Sequence, residues 1–321
     1  MKTFPAVVFA AAYIFFSVCA NADYPERPIR LVIEFPAGGA ADAVARRIGA
    51  KLTERLGQQV VVENRSGAGG VIAHEYVAKS PPDGYTLLLP TTSITINPSL
   101  HKKLAYDPQD SFVPIALITD WAGLLVVHPS IPGNTLPEFV RFVKANPGKL
   151  SYSSAGTGTW PHLAMEMLKS RGGMQIVHVP YKGAAPALQD TIAGFVAAKI
   201  DSYITSMPQV KSGRLKLLGV TTAGRMLQAP DVPTIAEQGY PGFDTAIWLG
   251  VLAPRGTPED IASKLEQNII AIIREKDITQ RLYDDGYRPR AGTAAEFAAL
   301  IRKEVSQWRQ VIHDVGISPN D

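Results

Sequence analysis

Four short segments concentrate the residues that could hold a ligand: 36–42, 65–70, 153–162 and 180–186. Together they are rich in glycine and small hydroxyl residues. Glycine lets backbone approach a ligand closely and turn its N–H groups toward it, and a helix that begins behind such a loop adds the positive end of its dipole. The chemistry this suits is the binding of a small anion. Any one of these loops could equally be a tight strand–helix turn. Four of them, two in each half of the chain, favour a pocket that closes on an anion from opposite sides.

Other chemistries find less support. Gly156-Thr157-Gly158 has Pro161 where a dinucleotide fingerprint needs a third glycine, and 65–70 lacks the Gly-Lys-Ser/Thr ending of a phosphate loop. Among His74, His101, His128, His162, His178 and His313, no pair has zinc-site spacing with a third ligand. His162 and Glu166 lie one helical turn apart and could share a metal, but no third donor is near in sequence. There is no Gly-x-Ser-x-Gly elbow. No cofactor, metal or catalytic residue is expected. Asp42 has two readings of equal weight: a first-turn acid that interacts with the helix dipole, or an acceptor for a ligand hydroxyl, ammonium or bound water. It could not face a bare carboxylate, because like charges in contact repel.

The elements that must carry these loops alternate. Residues 29–35 form an apolar, β-branched run, followed by Pro36, Gly38 and Gly39; Val44, Ile48, Leu52 and Leu56 then recur every fourth residue. This is strand, glycine loop, amphipathic helix. The unit repeats with a strand at 60–62 and a helix to about Lys79, and 86–89 adds a third strand. In the second half, Thr135 and Glu138 form a capping box, a strand at 150–153 leads to a helix near Pro161, and a strand at 176–179 leads to a helix near Ala184. Thr257-Pro258-Glu259-Asp260 predicts an N-cap, an N1 proline and first-turn acids. Thr293 and Glu296 open a last helix that buries Phe297, Leu300, Ile301, Val305 and Trp308. The alternation implies an α/β fold with largely parallel sheets.

At the amino end, Lys2, an apolar stretch at 7–18 and the small residues Ala20 and Ala22 have the layout of a secretory signal peptide, with cleavage expected after Ala22. Cleavage would remove Cys19, the only cysteine, and take the formal charge from +3 to +2. The exported chain would then rely on burial alone in an oxidising compartment. Its basic residues are scattered, with no nucleic-acid footprint, and no later apolar run is long enough to span a membrane. Length suggests two domains.

Taken in order, several motifs resemble the Bug-type solute-binding proteins, the extracytoplasmic receptors of tripartite tricarboxylate transporters. They include Phe35-Pro36-Ala37-Gly38-Gly39 with Asp42, Glu63-Asn64-Arg65 before Gly67-Ala68-Gly69-Gly70, and Asp83-Gly84-Tyr85-Thr86-Leu87-Leu88. Tyr152-Ser153-Ser154-Ala155-Gly156 with Pro161-His162-Leu163, Val179-Pro180-Tyr181-Lys182-Gly183, and Trp248 with Leu252-Ala253-Pro254 continue the series.

The resemblance implies a two-lobed, type II-like periplasmic-binding-protein fold, each lobe a mainly parallel sheet flanked by helices, with ligand in the cleft. Residues 23–122 plus 248–321 would form lobe 1, and 123–247 lobe 2. It implies a monomer that captures a small carboxylate: a mono- or dicarboxylate, an aromatic acid or an amino acid. The lobes would close on it and deliver it to membrane permease subunits. Carried across, the first-lobe contacts are Ala37, Gly38, Gly39, Asp42, Gly69, Thr92 and Ser93. Those of the second lobe are Ser154, Gly156, Thr157, Thr159, His162, Tyr181 and Asp201. One departure stands out. Phe195 and Ala197 replace the Gln and Asp of a Gly-Gln-Val-Asp pattern, which hints at an acid lacking an amino group unless Ala197 lies away from the pocket. A sensor for a receptor kinase would have the same pocket, and a periplasmic hydrolase or lyase would need an acid–base or metal constellation that the chain lacks.

Overall fold

The computed structural model describes residues 24–38 and 40–318. The expected signal segment 1–22 and the candidate contact Gly39 lie outside the described residues. The chain begins β1 (Ile29–Ile33), α1 (Ala40–Leu56), β2 (Val60–Asn64), α2 (Val71–Ala78), β3 (Thr86–Leu89) and α3 (Ser93–Leu100). A long β4 (Phe112–Ala122) passes through Gly123 into β5 (Leu124–Val127). There follow α4 (Leu136–Ala145), β6 (Ser151–Ser154), α5 (Trp160–Gly172), β7 (Val177–Pro180), α6 (Ala184–Ile192), β8 (Ala198–Asp201), α7 (Tyr203–Lys211) and β9 (Lys216–Val220). The chain returns through β10 (Ala246–Pro254) and ends with α8 (Glu259–Ile273), α9 (Lys276–Asp284), β11 (Arg288–Gly292) and α10 (Ala294–Asp314).

Two sheets result, one in each lobe, with strand orders β11-β4-β10-β3-β1-β2 and β7-β6-β8-β5-β9. Strands β1 to β3 and β6 to β8 pair in parallel; the other pairings are antiparallel. Both sheets are therefore mixed, and parallel pairing is narrower than the alternation suggested. It is confined to the strand–helix–strand units, because the strands that cross between lobes run against them.

Register fixes which way the loops face. Strand β10 is antiparallel to β3 at Leu252↔Leu88 and begins opposite the end of β4, at Ala246↔Ala122. The carboxyl ends of β1, β2 and β3 thus lie where the chain crosses between lobes. In the other sheet, Leu124↔Asp201 puts the carboxyl end of β8, and with it those of β6 and β7, at the same crossing. Ligands in open α/β sheets bind beyond such ends. Here both sets point at the crossing.

The crossing is tightly tied. The Gly123 N–H donates to Thr221 Oγ1 at 2.8 Å, and that hydroxyl donates to the Thr245 carbonyl at 2.8 Å. Trp160 Nε1 donates to Thr245 Oγ1 at 2.7 Å. Any Cβ on Gly123 would fall 2.6 Å from both Ile200 and the Trp160 ring, so no larger residue fits.

Burial supplies the cohesion, at roughly 1.5–3 kcal/mol for each large apolar side chain. The predicted stripe Val44, Ile48 and Leu52 packs with Ile29, Leu31, Leu249 and Ile269. Leu125, Phe139, Tyr152, Leu163 and Ile200 centre the other lobe. Helix α10 serves both: Phe297, Ile301 and Val305 pack with Trp248 of the first lobe, while Trp308 and Ile312 enter the second lobe's core. Both predicted capping boxes form, at Thr135/Glu138 and Thr293/Glu296. The prediction at Thr257 is corrected. Pro258 occupies the N-cap position of α8, and the Thr257 hydroxyl instead donates to the Pro254 carbonyl at 2.8 Å.

Candidate functional site

In the first lobe, Ala37 and Gly38 form an exposed turn after β1. The Gly38 N–H donates to Asp42 Oδ2 at 2.9 Å; Arg46 Nε adds a second bond at 2.9 Å and Asn64 Nδ2 a third at 3.0 Å. The Arg46 bond outweighs the cost of burial and, with Gly38 and Asn64, holds the Asp42 carboxyl at about 2. Asp42 is therefore a buried first-turn acid whose charge and lone pairs serve its own loop. Gly38, expected to offer its amide outward, spends it on Asp42.

Deeper in this lobe, Glu34 follows β1 and is 3% exposed. It accepts from the Thr91 N–H at 3.0 Å, from the Thr91 hydroxyl, and from Ser93 Oγ at 2.6 Å, and His74 Nε2 lies 2.5 Å away. Burial raises this carboxyl, but His74 and the hydroxyl donors overcome that and hold it below the usual range. Tyr106 Oη sits 3.0 Å from His74 Nδ1, and Asn97 Nδ2 donates to the Gly69 carbonyl at 3.0 Å. Thr92 is buried with its hydroxyl beside Trp248 N–H at 3.3 Å and the Ala246 carbonyl at 3.4 Å. The start of α3 is thereby joined to the crossing strand.

In the second lobe a neutral stack of rings supports the loop between Ser154 and His162. Ser154 Oγ lies 2.7 Å from His178 Nε2 and accepts the Gly156 N–H at 3.1 Å. Thr159 Oγ1 donates to the Gly156 carbonyl at 2.7 Å. The Gly158 N–H donates to His162 Nδ1 at 3.0 Å, which assigns that nitrogen as the acceptor. His162 stacks on His178 at 3.9 Å, and Tyr152 stacks on His178 at 4.9 Å. Burial first, then the charges of His178 and Lys169, push His162 down to about 3, so it is neutral at ordinary pH. Glu166 accepts from the Tyr152 hydroxyl at 2.5 Å and from Lys169 Nζ at 2.9 Å. The His162–Glu166 spacing is thus taken up by structural bonds. No group of three or more metal-ligating side chains occurs among the described residues.

Thr157 is exposed at the tip of this loop, and the Tyr181 hydroxyl donates to Asp190 at 2.6 Å. Asp201 is buried and accepts from the hydroxyls of Thr205 at 2.8 Å and Ser206 at 2.7 Å, with Lys199 Nζ 3.1 Å away. The two lobes meet where Gly158 abuts Leu100 at the end of α3; a Cβ there would fall 2.4 Å from Leu100 Cδ1. The predicted residues thus separate into two layers. Ala37, Gly38, Gly69 and Thr157 belong to the loops themselves. Asp42, Thr92, His162 and Asp201 are buried beneath them, engaged with the protein.

Ala197 lies at the opposite end of β8. Its N–H donates to the Ser151 carbonyl at 2.9 Å, and its carbonyl accepts the His128 N–H at 3.0 Å. The departure at 195–197 therefore does not bear on the loops, and the hint of an acid without an amino group loses its basis. Sequence reasoning missed Glu34 and the role of His178. The available signal was an acid closing an otherwise apolar strand, which only buried donors can stabilise.

Comparison with known proteins agrees with this architecture. Residues 44–317 match the family described as "Tripartite tricarboxylate transporter family receptor". The chain is similar to a protein from the tcbD–tcbE intergenic region of Pseudomonas sp. strain P51, with 39% identity covering 92% of this chain and 89% of that one. It is also similar to the structure of R. palustris Rpa4515 with adipate, with TM-score 0.82 and 37% identity over 93% of this chain and all of that one. MatC from Rhodopseudomonas palustris with bound malate gives TM-score 0.77 and 34% identity, over 90% of this chain and all of that one. With loops of two lobes facing one crossing and these likenesses along nearly its whole length, the chain belongs to the tripartite tricarboxylate transporter receptors, the Bug-type periplasmic solute-binding proteins, which bind and do not catalyse.

Proposed function

We propose that this receptor captures a small carboxylate, preferentially a dicarboxylate, between its lobes and passes it to the permease of a tripartite tricarboxylate transporter. One observation carries the reading: the strand register turns the carboxyl ends of both parallel strand sets, with their glycine loops, toward a single crossing. The similar structures of Rpa4515 with adipate and of MatC with bound malate support the ligand class. The moving bodies would be residues 23–122 plus 248–321 and residues 123–247, in a monomer exported after cleavage at Ala22. Backbone amides and hydroxyls of the loops hold the carboxylates, and differential affinity for the closed arrangement drives closure.

The test is thermal unfolding of the purified protein with adipate, malate and a panel of mono- and tricarboxylates and amino acids. A ligand at a hundredfold excess over its Kd stabilises by about 2.7 kcal/mol, a rise of several degrees. No rise with any acid of the panel would defeat the proposal.

A further inference from the structure

Helix α10 passes from one lobe's core to the other, and Glu304 sits at the changeover, between Ile301 of the first core and Trp308 of the second. Its side chain is almost wholly buried. Oε2 lies 2.8 Å from Trp248 Nε1 of β10 and 2.9 Å from Thr95 Oγ1 of α3. The same threonine hydroxyl is 2.8 Å from the Thr92 carbonyl. A hydroxyl has one hydrogen. If Glu304 is ionised, that hydrogen is drawn to the carboxylate and the Thr92 carbonyl keeps only the backbone N–H donors of Thr95 and Ile96, each at 3.2 Å. If Glu304 is protonated, the acid can donate to Thr95, whose hydrogen then goes to Thr92.

We propose that Glu304 is a positioning residue for ligand capture, acting through the Thr95 hydroxyl to set the first turn of α3, where Thr92 and Ser93 face the crossing. This rests on the carboxylate-receptor reading above. Burial pushes the Glu304 carboxyl up to about 7 against the opposing pull of Trp248 and Thr95, so the relay changes state near neutral pH. The groups around it add little charge. Strand β10 presents Trp248 and α3 presents Thr95. On α10, Trp308 lies beside the carboxyl, and Lys303 is the charged neighbour, itself exposed and 4.0 Å from Asp244. In the protonated state the Thr95 hydroxyl adds its hydrogen to the N–H donors that Thr95 and Ile96 already give the Thr92 carbonyl. This favours capture at lower pH.

The experiment is adipate and malate affinity by calorimetry from pH 6 to 8.5 for the wild type, Glu304→Gln and Thr95→Val, with thermal unfolding to verify folding. The wild type should bind roughly tenfold more tightly at the low end, as a displacement of about one pKa unit implies. Glu304→Gln carries no proton that titrates in this range, so its affinity should be flat with pH. Thr95→Val should lose most of the slope. A flat wild-type profile, or a slope that survives in either variant, overturns the inference while leaving the receptor reading intact. Failure of every carboxylate to bind at any pH overturns both.

Discussion

The loops facing the crossing are braced differently in the two lobes. Beneath the first-lobe loops lie ionised groups: Asp42 with Arg46, and Glu34 among Thr91, Ser93 and His74. Beneath the second-lobe loops lies a neutral stack of Tyr152, His178 and His162, with Ser154 and the Gly158 amide bonded to its ring nitrogens. Both arrangements anchor glycine-rich backbone, but they have different sensitivities. A charged brace is strong while its acid is ionised and intolerant of intrusion. A neutral stack depends on shape and on histidines staying uncharged.

The largest effect should come from intrusion into the charged brace. Gly70 holds φ +97°, and a Cβ there would fall 2.2 Å from Glu34 Oε2. Gly70→Ala should destabilise by about 3 kcal/mol or more, from backbone strain added to overpacking. Urea unfolding measures it, and a change under 1 kcal/mol would mean that Glu34 is freely displaced.

A smaller loss, about 2 kcal/mol, is expected for Asp42→Asn, which gives up the Arg46 pair and turns an amide toward Asn64. The Asp42 carboxyl is lowered in the folded state, so its contribution is present above the unfolded value of 3.8 and fades as pH falls toward 2. A Tm scan should show that decline in the wild type and lack it in the variant. An unchanged decline would remove Asp42 as its cause.

The neutral stack is sharpened by His162→Phe, which keeps a flat ring and removes the acceptor for the Gly158 amide, at a cost of about 1 kcal/mol near pH 7. Here the window differs. The folded-state value of His162 is depressed from 6.5 to about 3. The unfolded chain therefore takes up the proton first, and stability drains away as pH falls from 6.5 toward 3. The variant should lose that component. If its pH profile superimposes on that of the wild type, His162 is not held neutral.

Much of the scaffold was legible locally. The fourfold spacing of Val44, Ile48 and Leu52 gave α1, and the Thr135/Glu138 and Thr293/Glu296 pairs marked their helix starts, because caps and stripes depend on neighbours within a turn. Thr257 misled because its hydroxyl had a competing acceptor in Pro254, three residues back. The site was legible only as loops. Segments 36–42 and 153–162 showed that backbone could approach an anion, while the roles of Asp42 and His162 depended on Arg46, Asn64, Gly158 and His178, which converge only after folding.

The sequence by itself determined where strands hand over to helices and where glycine frees the backbone, since those are short-range properties of the chain. Tertiary structure alone decided that the two sets of loops face one another, that the sheets are mixed, and that Glu304 and Glu34 lie buried among donors. Those outcomes depend on strand register and on packing between segments as far apart as Thr95 and Glu304, and no local pattern encodes such pairings.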